Sequence, residues 1–171
     1  MAKIIAITNQ KGGVGKTTTA INLAASLSRM QRRVLLVDLD PQGNATMGSG
    51  IDKNSIVLGT YDVLTGKSHL AGAVTRAPDA GYALLPSNAD LTAAEVELLE
   101  MDNKEQRLRT ALIAVTDNYD FVLIDCPPSL NMLTLNALVA PDAVLIPMQC
   151  EYYALEGLSA LSNTIVAIQQ S

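Results

Sequence analysis

The stretch Lys11-Gly12-Gly13-Val14-Gly15-Lys16-Thr17 holds three glycines and two lysines in seven positions, and it sits where one periodicity gives way to another. Before it, Lys3–Thr8 (KIIAIT) is a short apolar run of β-forming residues that ends at polar Asn9 and Gln10. After it, residues 17–30 place Ala20, Leu23, Ala24 and Leu27 at helical spacing. A buried strand must therefore stop, cross a loop nearly free of side-chain bulk, and hand over directly to a helix. That junction commits the chain to an α/β plan with helices laid against a sheet.

The remaining sequence keeps the alternation going. Arg33–Val37 (RVLLV), Tyr82–Leu85 (YALL), Phe121–Ile124 (FVLI) and Ala143–Ile146 (AVLI) read as strands apolar on both faces. Helical patterns are expected over 91–101, with Asp90 as a cap, and over 103–118, 130–139 and 155–169. The stretch 51–80 is ambiguous, with a short helix over 55–64 as one option. We expect one domain over 1–171, built as a mostly parallel sheet with helices on both faces. Aromatic residues are scarce, so the core has to come from Ile, Leu, Val and Ala.

The glycine loop has a definite chemistry. Glycines let backbone N–H groups curl round an oxyanion, and the helix that follows aims its positive end at the same point. Gly12, Gly13, Val14, Gly15, Lys16, Thr17 and Thr18 would contact nucleotide phosphates, Lys16 with a full charge and Thr17 as a Mg²⁺ ligand. A chance match to this pattern is expected on the order of 10⁻⁵ times per chain of such length. Phosphoryl chemistry also needs carboxylates. Phe121–Asp125 (FVLID) has the form of an apolar strand ending in a metal-holding acid, Asp125. Val34–Pro41 (VLLVDLDP) adds Asp38 and Asp40, two apart and so on one face if extended. One of that pair could instead only cap the following turn.

The usual phosphate-loop pattern has glycine where this chain has Gln10, and this chain adds Lys11 just after it. With that deviant Walker A loop, DLDPQGNAT at 38–46, DCPPSL at 125–130 and PMQCEYYALEGL at 147–158, the sequence resembles the ParA/MinD family of P-loop ATPases from end to end. Within it the chain is most similar to the ParA/Soj partitioning branch. The resemblance implies an ATP- and Mg²⁺-dependent dimer that binds duplex DNA without sequence specificity and is released when a ParB-like partner triggers hydrolysis. It implies that Lys11 reaches the nucleotide across the dimer interface, that Asp40 positions the hydrolytic water, and that Asp38 lies near the metal beside Thr17 and Asp125. Gly12 would sit where two subunits approach closely. Catalysis would thus fall to Lys11, Lys16 and Asp40, in a cytoplasmic, nucleoid-associated protein. Family members continue well past residue 171, so the sheet is expected to be shortened at its C-terminus and the adenine-recognising loop and main basic surface to lie beyond it.

Charge and composition test the rival readings. All 12 Lys and Arg lie at or before Arg109, and residues 110–171 carry six acids and no base. That last third offers no DNA-binding surface. It also lacks the basic amphipathic helix that a MinD-like membrane positioner uses. A third reading is a fragment that binds nucleotide without completing a cycle. Cys126 and Cys150 make neither a disulfide framework nor a cluster motif, and His69, the lone histidine, has no ligand-spaced partner. No apolar run is long enough to cross a membrane, and a soluble chain is expected.

Overall fold

The computed structural model describes residues 1–150 and 154–170. The elements run β1 (Lys3–Ile7), α1 (Lys16–Arg29), β2 (Val34–Asp38), α2 (Asn44–Gly48), α3 (Thr60–Thr65), α4 (Leu70–Ala73), β3 (Thr75–Arg76), β4 (Ala83–Leu85), α5 (Leu91–Glu97), α6 (Arg107–Ile113), β5 (Phe121–Asp125), α7 (Met132–Val139), β6 (Ala143–Leu145) and α8 (Ala154–Gln170). They build one six-stranded sheet in the order β3-β4-β2-β5-β1-β6. Every pairing is parallel except β3 with β4.

Strand alternation sorts the apolar residues onto two faces. Ile4, Ala6, Leu35, Val37, Val122 and Ile124 face one core, where Leu64, Leu91, Leu108, Leu112 and Leu133 from α3 and α5–α7 cover them. Ile7, Val34, Leu36, Leu84 and Leu123 face the other, beneath Ala20 and Ala24 of α1 and Ala45 of α2. The two alanines let α1 lie close to the sheet, which fixes where its N-terminus points. Each fully buried Leu or Ile contributes roughly 2–3 kcal/mol. The central strands β2 and β5 are therefore the best-anchored backbone in the molecule.

β5 lies between β1 and β2, so the carboxyl ends of all three strands meet. Asp125 is the register partner of Ile7 on one side and of Asp38 on the other. The chain leaves this edge under tight control: Leu39 N donates to Asp125 O at 3.0 Å, and Cys126 N donates to Ile7 O at 3.1 Å.

Several expectations need correction. The helix expected over 103–118 is α6 alone, flanked by single 3-10 turns at Lys104–Gln106 and Thr116–Asn118. The one expected over 91–101 ends at Glu97 and continues as a 3-10 turn. Asp90 does not cap it, for Asp90 is itself in the helical region and makes no capping bond. In the ambiguous stretch, helix forms at Thr60–Thr65 rather than from residue 55. β6 is not doubly buried. It is the sheet's edge, half-buried or exposed along its length. The Tyr152-Tyr153 pair lies outside the described residues.

Candidate functional site

The phosphate loop follows β1 and ends at α1. Gly13 and Gly15 have φ of 73° and 93°, the left-handed region that glycine enters without penalty. A Cβ built on Gly12, Gly13 or Gly15 meets no atom within 4 Å, so the loop encloses open space rather than packed protein. Gly15 is the N-cap of α1, and no acidic residue stands in that helix's first turn to compete for its free N–H groups. The loop, Thr18, Asp40, Asn44 and Pro128 together line a cavity of about 340 Å³. Sequence reasoning passed over Asn44, the first residue of α2.

Lys16 is buried, and its ammonium curls back to donate to the Lys11 carbonyl at 2.9 Å. Burial lowers its pKa, against the attraction of Asp125 and Asp40, which raises it. Lys11 has an exposed side chain, while its amide donates to Asn9 Oδ1 at 3.0 Å. Asn9 Nδ2 in turn donates to Pro147 O at 2.8 Å, and Gln149 Nε2 reaches Gly13 O at 3.3 Å. The segment after β6 is thus tied to the loop at two points.

The three acids do different things. Asp125 is fully buried, and Oδ2 accepts from Thr17 Oγ1 at 2.7 Å. Its other oxygen, Oδ1, is buried with no hydrogen-bond partner among the described residues, and so is Gln10 Nε2 at the start of the loop. Such orphans are uncommon in folded interiors, and the one on Asp125 leaves a carboxylate oxygen able to meet a cation or water. Burial pushes the Asp125 pKa up to about 7; Thr17 opposes this, and Asp38 and Asp40 add to it.

Asp38, also fully buried, spends its oxygens on protein donors. Oδ2 accepts from Thr46 N at 2.8 Å and Thr46 Oγ1 at 2.6 Å, and Oδ1 accepts from Asp40 N at 3.1 Å. Burial raises its pKa to about 6, with the Thr46 and Asp40 hydrogen bonds pulling the other way. Asp40 lines the cavity, and its Oδ1 accepts from Gln42 N at 2.9 Å.

The arrangement fits Mg²⁺ and a polyphosphate. Among the described residues no three His, Cys, Asp or Glu side chains converge as a metal cage. A hydroxyl beside a carboxylate with one unused oxygen is instead a donor set for Mg²⁺, which keeps most of its shell as water and phosphate oxygens. Cys126, in the turn after Asp125, is buried and free, and Cys150 is exposed and free. No described helix is long and apolar enough to cross a membrane.

Comparison with known proteins agrees. A family model described as an AAA domain matches residues 2–171. A Pseudomonas putida protein described as uncharacterized is 67% identical over 98% of this chain, which spans 64% of that relative's length. The sporulation initiation inhibitor protein Soj of Bacillus subtilis is 53% identical over 99% of this chain and is spanned to 67%. Among solved structures, a Mycobacterium smegmatis protein described as cobyrinic acid a,c-diamide synthase, with bound ADP and magnesium, superposes with a TM-score of 0.96 at 45% identity, covering 99% of this chain and 69% of that one.

Proposed function

The chain belongs to the ParA/Soj family of P-loop partitioning ATPases, and we propose that it supplies the ATP-binding and hydrolysing core of a dimeric DNA-segregation switch. The observation that carries this reading is the Thr17–Asp125 pair at 2.7 Å, with an unused buried carboxylate oxygen, at the mouth of a glycine loop holding a buried lysine.

Each residue has a role in that reading. The N–H groups of residues 12–18 and the positive end of α1 hold the phosphates. Lys16 leaves the Lys11 carbonyl and turns to the β- and γ-phosphates. Thr17 and Asp125 would hold the metal. Bound Mg²⁺·ATP supplies the electrophilic phosphoryl group and the cation that neutralises its charge. Asp40, on the cavity wall, orients the attacking water. Asp38 stands behind the metal site and steadies the Asp40 segment. Lys11, exposed at the loop's outer edge, reaches the nucleotide of a second subunit. Pro127 and Pro128 stiffen the turn that follows Asp125, so that the γ-phosphate is sensed there.

Two subunits then close face to face on ATP, grip duplex DNA through backbone phosphates, and part when a ParB-like protein stimulates hydrolysis. Within this chain, Arg32, Arg33 and Arg76 gather round a cavity at the end of the sheet opposite the phosphate loop. Arg33 is paired with Asp120 at 2.8 Å, so Arg32 and Arg76 are the basic groups of this cluster proposed to meet DNA, in addition to any contributed by the longer relatives' remaining third. In this reading the protein works in the cytoplasm, on the nucleoid.

The test is retention on nonspecific duplex DNA at low salt, with ATP, with ADP, and with Lys16→Ala. Retention with ATP alone, falling steeply as salt rises, is the expected result. Asp40→Ala should keep nucleotide binding, stop turnover and trap the DNA-bound dimer. Turnover by Asp40→Ala at the parent rate would remove Asp40 from the mechanism.

A further inference from the structure

Asp40 sits on a short loop between β2 and α2, and its backbone is held on both sides, at the carbonyl by a side chain far away in sequence. Its amide donates to Asp38 Oδ1 at 3.1 Å. Its carbonyl accepts from Ser87 Oγ at 2.8 Å and from Gly43 N at 2.9 Å. Ser87, in the loop after β4, is itself held: its amide donates to Thr46 Oγ1 at 2.9 Å. That same Thr46 hydroxyl donates to Asp38 Oδ2 at 2.6 Å. Thr46, Ser87 and Asp38 are all buried, and the three close a ring through Asp40.

The packing leaves this ring little room. A Cβ on Gly43 would stand 2.7 Å from Ser87 O, and one on Gly59 would stand 2.7 Å from Pro86 O. The loop after β4 is thus pressed against the segments before α2 and α3. Thr60 adds a bolt from below, donating its hydroxyl to Asp38 O at 2.8 Å and its amide to Pro86 O at 2.8 Å. A loop meant only to connect β2 to α2 would need none of these long-range bonds. Hydrogen bonds to a buried carboxylate hold direction as well as distance.

We propose that Ser87 and Thr46 are positioning residues for Asp40, Ser87 holding its carbonyl directly and Thr46 acting through the Asp38 carboxylate, so that its side chain meets the cavity at one angle. Neither touches the cavity. The proposal rests on the reading of Asp40 as the water-orienting acid, and it gives Asp38 the duty of an anchor. A misplacement of about 1 Å at such a group costs about a hundredfold in rate, so a modest loosening has a measurable effect.

The test pairs amide hydrogen exchange with steady-state kinetics on the full chain. Ser87→Ala removes one neutral hydrogen bond, worth about 1 kcal/mol, and should speed exchange about fivefold at the amides of Asp40, Gln42 and Gly43 while leaving those of β5 unchanged. In the same variant kcat should fall about tenfold, with the dissociation constant of a fluorescent ADP analogue within twofold of the parent. Thr46→Ser keeps the hydroxyl and should retain the parent's values in both readouts. Unchanged exchange in Ser87→Ala overturns the proposal. So does faster exchange with an unchanged kcat, or a parallel loss of nucleotide affinity. If the parent chain itself hydrolyses no ATP, the reading of this chain as a hydrolysing core falls, and the exchange data alone decide whether Ser87 holds the loop.

Discussion

Asp125→Asn should make the nucleotide-free protein more stable at pH 8. Asp125 is fully buried, and its pKa is pushed to about 7, chiefly by burial, from an ordinary value of 3.8. Its folded form thus binds more protons than its unfolded form between those values, and stability falls as pH rises through that window. Three units at 1.36 kcal/mol each give a gross cost of about 4 kcal/mol above pH 7. At pH 5 less than half of it remains. Asparagine carries no charge to desolvate and can still accept from Thr17. It forfeits the attraction between Asp125 and Lys16, and it leaves the amide where the orphan Oδ1 stood. We therefore expect a net gain of about 1–3 kcal/mol at pH 8, shrinking markedly by pH 5. Urea unfolding in EDTA, without nucleotide, followed by circular dichroism at both pH values, measures it. Saturating Mg²⁺·ATP should then raise the parent's midpoint and scarcely move the variant's. A variant less stable than the parent at pH 8, or one with the same difference at both pH values, would refute the claim that the buried charge is what strains this site.

Lys16→Ala should weaken binding of a fluorescent nucleotide by about a hundredfold, because the buried ammonium proposed to meet the phosphates is lost. Gly12→Val should fold as the parent does, since its Cβ meets nothing within 4 Å in this chain. It should fail to dimerise with ATP in sedimentation velocity, because Gly12 is proposed to sit where two subunits approach closely. Gly43→Ala should destabilise by about 2 kcal/mol or more in urea unfolding, for it combines a φ of 65° with a contact of 2.7 Å to the Ser87 carbonyl.

The glycine loop with Thr17 stood out because the proposed chemistry asks for those residue types in one contiguous order, and Asp125 because it ends an apolar strand; the structure brings Thr17 and Asp125 within 2.7 Å. The strands β1, β2 and β5 were legible too, since each is a short apolar run buried on both faces. β3 was not: it has two residues, both exposed, and carries no hydrophobic pattern. β6 has the same apolar composition as the central strands but stands at the sheet's edge, and composition does not say which strand is outermost. Thr46 and Ser87 escaped for another reason. They are ordinary small polar residues forty-one positions apart, and only the close approach of two loops makes them partners. The one local clue was a hydroxyl eight residues after Asp38, which nothing in a linear pattern distinguishes from a turn residue.

That division explains how three acids can share one sheet edge. Asp38 and Asp125 are register partners on adjacent strands, and both are removed from water. Burial raises the pKa of both, and Asp38 adds to the rise at Asp125, so two bare carboxylates there would be costly. The fold resolves the conflict by treating them unequally. Three donors satisfy Asp38, which makes it part of the scaffold. Among the described residues the Asp125 carboxylate accepts from Thr17 alone and keeps an unsatisfied oxygen, so a cation arriving there would relieve its charge further. A metal bound at Thr17 and Asp125 would therefore stabilise the nucleotide-loaded state partly by removing a cost borne in the empty one. Exchanging the two environments, by giving Asp125 more donors and Asp38 fewer, should raise the stability of the empty protein and weaken its grip on Mg²⁺ together.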